Sequence, residues 1–209
     1  MKNSSFLSII LALGLLVVSY KWVESTNAES PVAESPSSTV EDIMTRTSVR
    51  AYSDRAVSPE TIDTLLRAAM AAPTAGNKQP WRFVVITDRA IMDTIASEFG
   101  SMTMMSRAGA AIVVCGDPEV TFPGEGREYW VQDASAATEN LLLAAHAVGL
   151  GAVWCGVYPM SDRVARFSGL LHLPSGILPL NCIALGYPAA PVTPKDKWHP
   201  EYIHYNTWD

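Results

Sequence analysis

The chain contains no GxGxxG turn after a strand and no GxxxxGK[ST] loop, which excludes a Rossmann dinucleotide site and a P-loop. No GxSxG elbow appears either. Its four histidines, His146, His172, His199 and His204, never fall at metal-ligand spacing, so no metal site is expected. Cysteine is scarce: Cys115, Cys155 and Cys182 include no CxxC pair, and an odd number cannot complete a disulfide framework. Cys115 and Cys182 lie in apolar runs and read as small buried hydrophobes. Charge is sparse too, at 17% of residues with a net of -6. Beyond residue 39 the chain keeps 13 basic and 18 acidic residues. A domain of that balance has no overall field for nucleic acid, so any anionic ligand must be held by a local group of cations.

What is present suits one domain with an extension: 209 residues, 48% of them hydrophobic. Lys2 precedes an apolar run from Phe6 to Val18 that continues, with Lys21 as its one charge, to Val23. Residues 1–23 therefore read as a cleaved signal or an uncleaved membrane anchor, and an exported or membrane-anchored location follows. The run is followed by no small-x-small site and no lipid-bearing cysteine, and there is no twin-arginine pair. Residues 24–38 are rich in Ser, Pro, Glu and Ala and read as a flexible linker. The folded domain is expected over 39–209.

Within it, Thr39 starts a short helix to Met44. Ser58-Pro59-Glu60 is a helix start, with a capping hydroxyl and a proline in the first turn. Ile62, Leu65, Leu66 and Ala69 then mark one face, and Pro73 ends the helix. Trp81–Thr87 reads as a strand, Asp88 caps a helix to Phe99, and Ala110–Cys115 is a strand buried on both sides. A long helix is expected from Tyr129 to Val148, with Trp130, Ala134, Ala137, Leu141, Ala145 and Val148 on one face and Gly149 as its stop. Ala152–Cys155 is a short strand, Ser161-Asp162 caps a small helix, and Ile177–Leu185 returns as a strand. The tail is proline-rich, then aromatic (Trp198, Tyr202, Tyr205, Trp208), which suggests docking on a surface. The sum is an α+β fold, a mixed sheet flanked by helices.

Three separated segments carry chemistry. Arg46-Thr47-Ser48-Val49-Arg50 places a hydroxyl between two guanidiniums, either a grip for an anionic planar ligand or a solvated basic turn. Pro73 to Trp81 brackets Thr74, Ala75, Asn77 and Gln79 between prolines, a stiff loop whose amides match the imide edge or ribityl hydroxyls of a flavin. Lys195 and Lys197 flank one residue of a proline-led loop and supply half of a phosphate clamp, or are ordinary solvated lysines.

Taken together, RTSVRAY, PTAGNKQPW, QDASAATENLLLAAHAVGLGAVWCGVYP, LGYP and PKDK resemble the FMN-dependent nitroreductase family over about residues 39–209. The resemblance implies one FMN per subunit at a homodimer interface, with NAD(P)H as donor. Arg46, Ser48, Lys195 and Lys197 would contact the phosphate, with Thr47 beside them. Arg50 would lie at the N1/O2 edge, where a positive charge stabilises the reduced ring. Pro73, Thr74, Ala75 and Asn77 would reach the flavin of the partner subunit, joined in that loop by Gln79. Trp154, Cys155 and Gly156 would run past N5.

The implied reaction is a ping-pong one: hydride passes from NAD(P)H to flavin N5, then to a nitroaromatic, quinone or similar electron-poor acceptor. No side chain serves as nucleophile. Tyr129, Trp130 and Tyr158 either stack on substrate or pack in the core or an interface.

The chain departs from the family pattern in places. Lys197 stands where arginine is frequent, and Cys155 where some members have an acid. Residues 101–106 (SMTMMS) lack the Asn and Lys that larger members set against the ring. Only 117–132 is long enough to shape a lid. Rival readings are a same-fold reductase of another substrate class, such as dehalogenation, a membrane-tethered flavin-binding electron relay, and a plain structural protein.

Overall fold

The computed structural model describes residues 39–208. The expected signal or anchor at 1–23 and linker at 24–38 lie outside the described residues. Among those described, no helix is long and apolar enough to cross a membrane.

Local rules place most elements where the sequence puts them. Helix α1 spans Thr39–Thr45 and α2 spans Pro59–Met70, the latter capped by Ser58 Oγ, which accepts Thr61 N–H at 3.2 Å. Strand β1 is Trp81–Ile86. Asp88 Oδ1 then accepts the N–H groups of Ala90 (2.8 Å) and Ile91 (3.3 Å) to start α3, Arg89–Glu98. Strand β2 is Ala110–Gly116, α4 is Tyr129–Ala147, and β3 is Gly151–Gly156. Helix α5 (Ser161–Leu170) and strand β4 (Leu178–Gly186) follow. One expected cap is displaced. Val164 N–H donates to Met160 O at 2.9 Å, so Met160 is the cap and Ser161 already lies inside α5.

The sheet is ordered β1-β2-β4-β3, and every pairing in it is antiparallel. The expected mixed sheet is therefore corrected: the parallel contact is an isolated bridge between Ser48 and Ala152. Helices on both faces explain why β2 is buried throughout, because its alternating side chains feed two cores. Ile112 and Val114 meet α2 and α4 on one side, with Trp81 and Trp130. Val113 and Cys115 meet Met92, Ile95, Phe99 and Phe167 on the other.

A buried polar link ties α4 to β4. Thr138 Oγ1 gives its proton to Ala134 O (2.7 Å) and accepts Asn181 Nδ2 at 3.0 Å. Trp130 is 1% exposed and lies flat on Gly116, where an added Cβ would come within 2.2 Å of its ring. Neither partner can yield without opening a cavity. Gly116→Ala is therefore expected to lower the unfolding free energy by about 1–3 kcal/mol, seen as a lower midpoint in denaturant titration.

Candidate cofactor site

The first chemical segment is fixed by the end of α1. Thr45 Oγ1 donates to Glu41 O (2.6 Å), so it accepts from His146 Nε2 at 2.8 Å and docks α1 on α4. Arg46 follows, mostly covered, with its Nε 3.3 Å from Glu139 of α4. Val49 then turns inward, and its N–H donates to Ala152 O at 3.0 Å. Alternation about Val49 leaves Ser48 and Arg50 exposed along the edge of β3.

The last segment reaches the same place. Ser53 N–H donates to Tyr187 O (2.8 Å) and Ala189 N–H to Ala51 O (3.0 Å), which lays the start of the tail beside residues 51–53. Further on, Lys195 and Lys197 join Arg46 around a pocket of about 380 Å³, floored by Ile43 and Met44. Asp196 lines the pocket too; its Oδ1 accepts Trp198 N–H at 3.0 Å, and it forms no ion pair with either lysine. Thr47 and Ser48 do not line this pocket; they sit on the strand edge beside it.

The 73–81 loop is held from within. Gly76, Asn77 and Gln79 all adopt positive φ (55°, 56° and 50°), a strained run sustained by specific bonds. Thr74 Oγ1 accepts Gln79 N–H (3.2 Å), and Ala75 N–H donates to Asp133 Oδ1 (2.9 Å). The two amides were both expected to face a ligand. Instead Gln79 Nε2 donates to Asn77 Oδ1 at 2.9 Å, leaving the Asn77 NH₂ and the Gln79 carbonyl to other partners. Asp133 was missed in the sequence, although it falls on the apolar face of α4 beside Trp130 and Ala134. It is 5% exposed, and its Oδ2 has no hydrogen-bond partner.

Pro73, Thr74, Ala75, Asp133 and Tyr129 line a second pocket of about 280 Å³. It shares no residue with the Arg46 pocket. Of the three aromatic candidates, Tyr129 is exposed here. Trp130 is core, and Tyr158 packs edge-on against it with centroids 4.9 Å apart.

Strand β3 supplies an edge. The bond from Val49 to Ala152 O fixes the ladder's phase, so Trp154 and Gly156 also turn their backbone groups outward while Cys155 faces β4. The Gly156 carbonyl accepts Arg163 Nη1 at 2.8 Å. Cys155 is buried, and burial raises its thiol above the ordinary range while Arg50 and Arg163 pull it back. Burial pushes Cys115 up to about 12 and Cys182 well above its usual value. All three thiols are free. Among the described residues, no cluster of three His, Cys, Asp or Glu is placed to hold a metal.

Arg46, Lys195 and Lys197 thus come together from both ends of an α+β domain, beside an outward-facing strand edge. The chain belongs to the nitroreductase family, a family of oxidoreductases, whose model matches residues 43–103 and 90–187. A provisionally named NADH dehydrogenase/NAD(P)H nitroreductase of Archaeoglobus fulgidus is 45% identical over 79% of this chain and 96% of its own length. A solved structure of the same provisional name from Parabacteroides distasonis is 46% identical with a TM-score of 0.77, over 81% of this chain and 98% of that one. A provisionally named nitroreductase of Desulfovibrio desulfuricans, solved in complex with FMN, is 30% identical with a TM-score of 0.69, over 84% of this chain and all of its own.

Two outcomes are expected of the buried groups. Asp133→Ala orphans the Ala75 N–H and should cost about 1–3 kcal/mol in thermal or denaturant unfolding, whereas Asp133→Asn keeps an acceptor and most of that stability. The folded thiols hold their protons at pH values where the unfolded chain, with thiol pKa about 8.5, releases them. Their contribution is thus complete below about pH 8.5 and is lost as pH rises towards 12. Denaturant midpoints should fall from pH 9 upward, and less steeply in Cys115→Ala.

Proposed function

We propose that the chain is an FMN-dependent oxidoreductase that uses NAD(P)H to reduce nitroaromatics, quinones or similar electron-poor acceptors. One observation carries this reading: Arg46, Lys195 and Lys197, from opposite ends of the domain, line one pocket in which they outnumber its single acid, Asp196, three to one. That donor set fits a phosphate, which needs several charge-assisted hydrogen bonds at once. Ser48 adds a hydroxyl at its rim. Arg50 lies farther along the same edge, where a ring attached to that phosphate would present its pyrimidine side. The outward N–H of Gly156 is a free donor for a ring nitrogen, and the half-exposed Trp154 flanks it. FMN supplies the redox chemistry itself, hydride uptake from NAD(P)H and delivery to the acceptor.

The chain acts as a homodimer in this reading. Within one chain, the 73–79 loop and the cationic pocket share no residue, so the loop serves the cofactor held by a second copy. A second copy also accounts for Trp198, Tyr202, Tyr205 and Trp208, each at least 70% exposed. Tyr129, beside that loop, is the aromatic residue open to substrate. Residues 1–23 act as an export signal or anchor and 24–38 as the tether to the domain at 39–209.

The test is an absorbance spectrum of the purified protein with mass identification of any released chromophore, followed by NADH and NADPH oxidation assays. A yellow protein that releases FMN and oxidises either nucleotide is expected. Full flavin occupancy without nucleotide oxidation would favour the electron relay. A protein that stays colourless after FMN addition refutes the assignment. Arg46→Ala, and Lys195→Ala with Lys197→Ala, should each weaken FMN binding by about 10- to 100-fold, the worth of lost charge-assisted bonds, in fluorescence titration.

A further inference from the structure

We infer that Arg163 is a second positive charge of the redox centre and favours the reduced form of the bound cofactor. This rests on the flavin reading above and goes beyond it, since neither the phosphate pocket nor Arg50 requires Arg163. The residue lies in the first turn of α5 and reaches back to the end of the edge strand β3. Its Nη1 donates to Gly156 O at 2.8 Å and its Nη2 to Ser101 Oγ at 3.2 Å. Both acceptors are neutral.

The acids nearest in sequence or space are engaged elsewhere. Asp162 lies 3.9 Å from Arg166, and Glu98 lies 2.9 Å from the same guanidinium. Among the described residues, Arg163 has no carboxylate within ion-pairing distance, and neither does Arg50. Two uncompensated guanidiniums therefore flank one end of β3 in a chain of net charge -6.

Their convergence has an independent witness. Arg50 and Arg163 both lie near enough to the buried Cys155 thiol to pull it down against the larger effect of burial. Cys155 itself brings no negative charge to offset them. Ser101, from the segment 100–106, acts as the strut that orients the second guanidinium.

A fixed cation held by neutral dipoles costs no reorganisation when negative charge arrives, which is the arrangement that stabilises a developing anion. On gaining two electrons and one proton, the ring system takes up one net negative charge, and Arg163 favours that state. The predicted signature is a difference between two binding equilibria, not a change in overall affinity. Removing a unit charge from a partly solvated position beside the ring should weaken reduced FMN relative to oxidised FMN by about tenfold. For a two-electron couple, that ratio corresponds to a midpoint about 30 mV more negative.

The experiment titrates the full-length protein anaerobically with oxidised and with chemically reduced FMN, and measures the bound midpoint against an indicator dye. Wild type is compared with Arg163→Gln, which removes the charge and leaves a shorter neutral N–H donor, and with Arg163→Lys, which keeps the charge. The expected result is unchanged affinity of Arg163→Gln for oxidised FMN, a tenfold loss for reduced FMN, and recovery in Arg163→Lys. Equal changes in both affinities mean a structural role and overturn the proposal, as does an unshifted midpoint. Loss of the effect in Arg163→Lys as well shows that charge is not the cause and overturns it too. If wild type binds neither form of FMN, the functional reading itself has failed and takes this proposal with it.

Discussion

The hydrogen bond from Val49 N–H to Ala152 O is the contact from which the site geometry follows. It lays the chain after α1 along an edge of the sheet that would otherwise be unpaired, and it sets the phase of that edge. Val49 then has to face inward, against Gly151, where an added Cβ would lie 2.6 Å from its own. Ser48 and Arg50 consequently face out. The same contact decides which backbone groups of β3 point outward, so Gly156 presents its N–H and carbonyl at the open end. One short backbone registration thus positions a hydroxyl, a guanidinium and a peptide donor without any of them being individually anchored.

The electrostatic plan works against the global charge. With acids in excess overall, the positive region is made by pairing acids elsewhere, Asp162 and Glu98 with Arg166, and by setting three cations against the single Asp196 in the pocket. Glu139 is the exception, touching Arg46 from α4, where it orients the guanidinium while half exposed and therefore weakly compensating. Local potential in such a protein is a matter of where carboxylates and cations lie, not of how many of each are present.

Much of this could be read in the sequence because it is governed by short-range rules. Ser58 and Asp88 cap as their side chains dictate, and the long helix runs as its period requires up to Ala147, with Gly149 at positive φ just beyond; Val148, expected on its apolar face, lies past its end and is exposed. The motif segments were found by composition and by their resemblance to a family. What escaped depends on pairing across space. A buried apolar strand looks the same in parallel and antiparallel surroundings, so the sheet's direction was misjudged. Ser161 looked like a cap because nothing local reveals that Met160 O already accepts a helical bond. Asn77 and Gln79 bond to each other in a loop where both take positive φ, which their identities alone do not require. Arg163 lay in an ordinary amphipathic helix, and only its bonds to Gly156 and Ser101 distinguish it from its exposed neighbours.

Phe122 is wedged between two glycines. Its ring sits where a Cβ on Gly76 would be, 2.7 Å from its tip, and its own Cβ lies equally close to the position of one on Gly126. Lys78 Nζ hovers 5.2 Å from the ring centre. Phe122 thereby packs the loop bearing Asn77 against the turn at Gly126. A larger side chain at Gly76 or at Gly126 would therefore have to displace the same ring, so the two positions are sterically coupled through one residue.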